Sequence, residues 1–170
     1  MKRLHRLIQK AKHSRLQRWL LNLLLNRFIP FNKPHGLRIV AVMDDGFTIM
    51  LPYRRRNLNH LQGIHACALA ALSEYVAGIS LSYCLYPDEH RLIMKNLSVE
   101  FHYQAKSNVT ATVQLGKDWI ADKIRKPLEA NDSVLMEMPV QVFDAGQQHI
   151  STAVVQWQLK KWSKVRTKPD

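Results

Sequence analysis

The sequence predicts one α+β domain in which an antiparallel sheet curls around a single buried helix. Three observations lead there. Residues 63–80 (GIHACALAALSEYVAGIS) are apolar on every side and rich in Ala and Gly, so a helix formed by them has to be enclosed rather than laid on a surface. Four long segments follow, 91–105, 108–116, 133–143 and 148–160, dominated by β-branched and aromatic residues. Ahead of the helix, two segments of period two flank Asp44-Asp45-Gly46, the pattern of a hairpin. A chain of 170 residues suits one such core and leaves little room for a second.

The first element is amphipathic. Leu4, Leu7, Ile8, Ala11, Leu16, Trp19, Leu20, Leu23 and Leu24 recur at three- and four-residue steps, which predicts one helix within residues 1–29, basic on its outer face and stopped by Pro30. Residues 36–43 and 46–53 form the hairpin, with Gly46 supplying the positive φ of its turn. A loop rich in Arg and Asn leads into the central helix. The stretch from Ile64 to Leu85 is long enough to span a membrane, but Glu74 at its middle and Ser73, Ser80 and Ser82 around it argue for burial in protein. Among the strands, Val134, Met136, Met138, Val140 and Val142 alternate cleanly, and Asp144-Ala145-Gly146 turns the chain. Trp119 to Ala130 carries Ile120, Ile124 and Leu128 on one face, a short helix that Pro127 is placed to interrupt. The organisation read from this is an N-terminal basic amphipathic helix (1–29), a main domain (30–162) and a basic C-terminal tail (163–170).

Composition excludes some classes. At 46% hydrophobic and 22% charged residues the chain is globular rather than disordered. Its 25 Lys and Arg against 13 Asp and Glu give a net charge of +12, and the excess is local. Every charged residue before Asp44 is basic; Arg54, Arg55 and Arg56 form a second tract, and Lys160, Lys161, Lys164, Arg166 and Lys168 a third. Such a distribution suits nucleic acid, an anionic membrane surface or an anionic small ligand, and charge alone does not choose. Cys67 and Cys84 lack any Cys-x-x-Cys spacing and read as reduced, packed thiols of a cytoplasmic protein. The apolar patch from Trp19 to Leu25 is broken by Asn22 and followed by no small-residue cleavage site, unlike a secretory signal. His60 and His65 have no third ligand in view, so neither a metal nor another cofactor is expected.

Glu74 violates the burial rule. A carboxylate in the middle of an apolar helix needs a partner, a raised pKa or a task. Asn59, His60, Gly63 and His65 stand at the front of the same helix, where free backbone N–H groups and a partial positive charge can bind an oxyanion. The nine residues from His65 to Glu74 span about 13 Å of helix, too far for one copy to bring both groups to one atom. Two helices lying antiparallel across a two-fold dimer interface can do so, and they form two equivalent sites.

The string Asn59-x-x-x-Gly63-x-His65-Ala66-Cys67, followed by Glu74 and Gly78, resembles the signature of hotdog-fold acyl-CoA thioesterases of the phenylacetate-pathway type, and more narrowly a branch of uncharacterised thioesterase-like domains. The resemblance covers roughly residues 30 to 160, including Pro30-Phe31-Asn32. It implies a hotdog fold and hydrolysis of an acyl-CoA or acyl-carrier thioester by a homodimer or dimer of dimers. It implies Glu74 as general base or nucleophile, the Ala66 N–H as oxyanion donor, Asn59 positioning water or substrate, and His65 ordering the helix front. Gly63 belongs to the same motif, and Arg54, Arg55 and Arg56 lie just ahead of it, suited to CoA phosphates. The family's Gly-Gly is Ala66-Cys67 here, which motivates an alternative reading as a non-catalytic acyl-binding hotdog module. A third reading takes residues 1–29 as a contact to a membrane surface, with nucleic acid less favoured.

Overall fold

A computed structural model describes residues 2–85 and 90–165; Arg166 and Lys168 of the basic tail lie outside them. The N-terminal region holds two helices rather than one, α1 (Lys2–Ala11) and α2 (Arg15–Phe28). The apolar spacing runs on across the break, but Ser14 adopts an extended backbone and its side chain accepts the Gln17 N–H at 3.3 Å, which starts a new helix. A single turn, α3 (Asn32–His35), leads to the hairpin of β1 (Arg38–Val42) and β2 (Gly46–Leu51). Then come the central helix α4 (Ala66–Cys84), β3 (His90–Phe101) and β4 (Val109–Gln114). Residues 117–130 form α5 (Lys117–Ile120), a π turn (Ala121–Arg125) and α6 (Lys126–Ala130), continuous through Pro127, which the wider π turn just ahead of it accommodates. The chain closes with β5 (Ser133–Asp144) and β6 (His149–Lys161).

The strands make one antiparallel sheet in the order β1-β2-β4-β5-β6-β3, curved around α4. This is the hotdog arrangement. Period-two burial aims Phe47, Ile49 and Leu51 of β2, Val109 and Ala111 of β4, Met136, Met138 and Val140 of β5, and Ala153, Val155 and Trp157 of β6 into one core. Against them α4 buries Leu69, Leu72, Val76, Ala77 and Leu81. By length and composition α4 is apolar enough to cross a membrane, yet more than half of it is buried by its own sheet. Gly46 does not have the positive φ expected of it: the Val113 carbonyl of β4 occupies the space where a Cβ would stand, so close strand approach is what requires glycine there.

The two edges of the sheet differ. At β1, the Asn22 side chain of α2 lies along Ile39 like a short strand, its Nδ2 donating to the Ile39 carbonyl at 3.0 Å and its Oδ1 accepting the Ile39 N–H at 2.7 Å. At the opposite edge β3 pairs only with β6, and Met94, Lys95, Asn96, Ser98, Glu100 and Phe101 are exposed along it. Leu21 and Leu25 of α2 and Ile8 and Ala11 of α1 are buried in the same core as the sheet. Gln9 donates to the Tyr83 hydroxyl at 2.7 Å, and Lys12 meets Asp44 at 2.5 Å, tying the end of α1 to α4 and to the hairpin turn.

Asn22→Ala removes both bonds to Ile39 and leaves a buried edge unpaired; equilibrium urea unfolding should show a loss of about 1–3 kcal/mol.

Candidate active site

The front of α4 is built by a short loop whose polar groups are nearly all engaged. Asn59 Oδ1 accepts the N–H groups of Leu61 (2.9 Å) and Gly63 (3.1 Å), and the Asn59 N–H donates to the Gly63 carbonyl at 2.8 Å, closing a tight ring. The Gln104 side chain lies where a Cβ on Gly63 would be, so glycine lets this loop sit against the β3–β4 connection. His65 donates its N–H to Asn57 O at 2.7 Å, then caps the helix with its ring: Nδ1 accepts the Cys67 N–H at 3.1 Å. The Ala68 and Leu69 N–H groups turn to the His65 carbonyl. Only the Ala66 N–H in this first turn has no acceptor among the described residues, and Ala66 is exposed.

Glu74 stands two and a half turns further on, facing a different space. Its carboxylate has no hydrogen-bond or ion-pair partner among the described residues. It lines a cavity of about 670 Å³ whose other walls are largely apolar: Leu4 of α1, Leu25 and Phe28 of α2, Ile29, Gly78 and Ile79 of α4, Leu92 of β3 and Trp157 of β6. His90, Tyr75, Ser82 and Trp162 complete the lining. The Trp157 ring closes on the helix at Gly78, where an added Cβ would lie 3.0 Å from it, and its buried Nε1–H has no acceptor among the described residues. Burial raises the Glu74 carboxyl above its ordinary value, and it raises the adjoining Tyr75 phenol too.

Of the residues singled out from sequence, Asn59, Gly63, His65 and Ala66 come together at the helix front, while Glu74 lies away from them within one copy. The three arginines part company. Arg54 bends back to donate to the Pro34 carbonyl and packs on Gly36, whereas Arg55 and Arg56, in a single 3-10 turn, are exposed with no partner among the described residues. Cys67 does not pack as expected: it is exposed on the outer side of the first turn of α4, whose Ala68 and Leu69 take the core side. Cys84 is half-buried, its thiol pushed up to about 11. Among the described residues no three His, Cys, Asp or Glu side chains gather as metal ligands. Sequence reasoning missed the cavity walls, because they come from five elements that no single periodicity connects.

A family model matches residues 17–165, from the first turn of α2 to the end of the described chain. The chain belongs to the family described as Domain of unknown function (DUF4442). No curated protein matches it. Solved structures of the same fold include a Pseudomonas aeruginosa protein of unknown function described as a probable thioesterase, 21% identical over 84% of this chain and 94% of that one, with a TM-score of 0.74. A thioesterase from Haemophilus influenzae is 14% identical over 84% of this chain and 92% of its own, with a TM-score of 0.64. A thioesterase from Staphylococcus aureus is 15% identical over 77% and 98%, with a TM-score of 0.59, and its structures include one variant with a Gln and another with a Glu replaced by Ala. At these identities the likeness in this DUF4442 member is one of fold.

Because the folded state holds the Glu74 proton more tightly than the unfolded chain, the stability this group contributes is greatest in acid and is lost as pH rises through its folded pKa. Glu74→Gln, neutral throughout, should therefore melt above wild type at about pH 8, with the gap closing by about pH 4; thermal melts across that range read it.

Proposed function

We propose that the protein hydrolyses acyl thioesters, and the observation that carries this reading is the unpartnered Glu74 carboxylate on the wall of an apolar cavity. A carboxylate left without a partner there costs stability that a structural role would recover by pairing it. As a base it fits. With Glu74 ionised, it takes a proton from water as the water oxygen attacks the thioester carbonyl carbon. The negative charge moves onto the carbonyl oxygen, where a backbone N–H stabilises it; the C–S bond then breaks, and the thiolate leaves without needing an acid. Glu74 then returns its proton to the departed thiolate and is regenerated as the base, and the products are a carboxylic acid and a thiol.

The oxyanion donor in this reading is the Ala66 N–H of the partner subunit, since about 12 Å of helix separates Ala66 from Glu74 within one copy. The open edge of β3 supports a two-fold dimer in which the sheets join and the two α4 helices run antiparallel. Asn59 Nδ2, which has no acceptor among the described residues, positions water or substrate, and His65 holds the helix front. Arg55 and Arg56 meet the phosphates of a CoA carrier, and the aliphatic and aromatic cavity takes an apolar acyl chain. The spacing of Asn59 and Glu74, fifteen positions, equals that of the Gln and Glu replaced in the Staphylococcus aureus thioesterase, which supports a common site plan.

Three measurements test this reading. On a panel of acyl-CoA esters, Glu74→Gln should lower kcat by about 100-fold or more; tight acyl-CoA binding by wild type without turnover would instead make it a binding module. Ala66→Pro deletes the proposed donor at a position where proline is tolerated, since Ala66 opens the helix and His65 already has an extended backbone (ψ 139°). Its kcat should fall by about 100-fold, and mixing it with Glu74→Gln subunits should restore about a quarter of the wild-type rate through hybrid dimers with one intact site. Arg55→Ala with Arg56→Ala should raise KM about tenfold for acyl-CoA and leave a phosphate-free pantetheine thioester unaffected.

A further inference from the structure

Helix α2 has two apolar faces, and the fold uses only one. Leu21 and Leu25 point into the core, and Asn22 reaches the edge of β1. At 100° per residue the opposite arc carries Leu16, Trp19, Leu20, Leu23 and Leu24, and of these all but Leu20 are between 41% and 64% exposed. Phe31, 61% exposed, extends the stripe beyond the helix. Soluble surfaces scatter such residues singly, as this one does with Leu61, Met94 and Leu135, so a contiguous run on one helix marks a contact surface.

The charge around the stripe selects the occupant. Arg27 lies within the arc and Arg15 at its start, while Arg3, Arg6 and Lys10 form the exposed face of the adjoining α1 and Lys33 follows on α3, all exposed. No acidic residue precedes Asp44, and Asp44 is held by Lys12. A second copy of this chain would press like charges together across the patch, and a nucleic acid backbone offers nothing to exposed Leu, Trp and Phe side chains. An anionic bilayer matches both features, with acyl boundary for the stripe and headgroups for its rim of cations.

We propose that the outward face of α2 docks the protein on an anionic lipid bilayer. Phe28 and Ile29, exposed where α2 ends just past Leu24, also line the wall of the Glu74 cavity, so the docked surface borders the cavity mouth. An acyl chain held in the leaflet then has a short apolar path to Glu74; that consequence rests on the thioesterase reading, and the docking itself does not.

Co-sedimentation of the full chain with vesicles tests the docking. Wild type should pellet with phosphatidylglycerol–phosphatidylcholine vesicles, more weakly at high salt, and hardly at all with phosphatidylcholine alone. Replacing Leu16, Trp19 and Leu23 together by Gln, all exposed and outside the cavity, should cut partitioning about tenfold or more, and Arg3→Glu with Arg6→Glu and Lys10→Glu should do the same. Glu74→Gln should bind like wild type, so loss of hydrolysis and loss of docking are read separately. Wild type remaining in the supernatant, or the triple Gln variant binding as well as wild type, overturns the proposal. So does a lipid-free oligomer that the triple Gln variant disrupts, or duplex DNA binding that the same variant retains.

Discussion

Helix α4 carries apolar side chains around its whole circumference, and burying them on every side requires a sheet long enough and bent enough to wrap it. Small residues make the wrap tight: Ala68 and Ala77 are fully enclosed, and Gly78 lets the Trp157 ring lie against the helix. Bulges at Ile39/Ala41, Met94/Asn96 and Val142/Phe143 bend the strands that must follow the curve. A single sheet of six strands still cannot close around the helix. The gap it leaves is covered by α1 and α2, and the cavity with Glu74 on its wall lies where those helices, the end of α4 and the β3–β6 side of the sheet meet.

That covering also decides which edge of the sheet stays open. Asn22 satisfies both backbone groups of Ile39 with one side chain, so β1 offers a second copy little to pair with. The same helix thus seals one edge, walls the cavity and turns an unused apolar face outward. Three duties on one element explain why α2 departs from the simple amphipathic pattern, with hydrophobic residues around most of its circumference and a polar Asn at its strand-facing position.

Much of this was legible beforehand because periodicity and burial are local properties of sequence. The apolar run of α4, the alternation of β5 and the anomaly of Glu74 in its helix each need only a few neighbouring residues to be seen. What escaped depends on contacts between distant segments. The break at Ser14 hides because Leu4 to Leu24 keep helical spacing on both sides of it, and only the extended backbone at Ser14 reveals the second start. Gly46 looked like a turn glycine, yet its need comes from Val113, far along the chain. The cavity walls assemble from α1, α2, α4, β3 and β6, and no window of sequence contains them together.

That Ala66 and Cys67 stand where the thioesterase signature the sequence resembles has two glycines bears on the chemistry less than their side chains suggest. An oxyanion is bound by N–H groups, and every residue but proline has one. In the first turn of α4, the Cys67 N–H is taken by the His65 ring and those of Ala68 and Leu69 by the His65 carbonyl. His65 therefore uses both its ring and its carbonyl to occupy every donor except one, and the exposed Ala66 N–H is what remains. Glycine at this position would add backbone freedom to a turn whose geometry the cap already holds, and alanine keeps the donor while removing that freedom. Under the hydrolytic reading, a single fixed donor is enough for an ester whose leaving group departs as a stable thiolate.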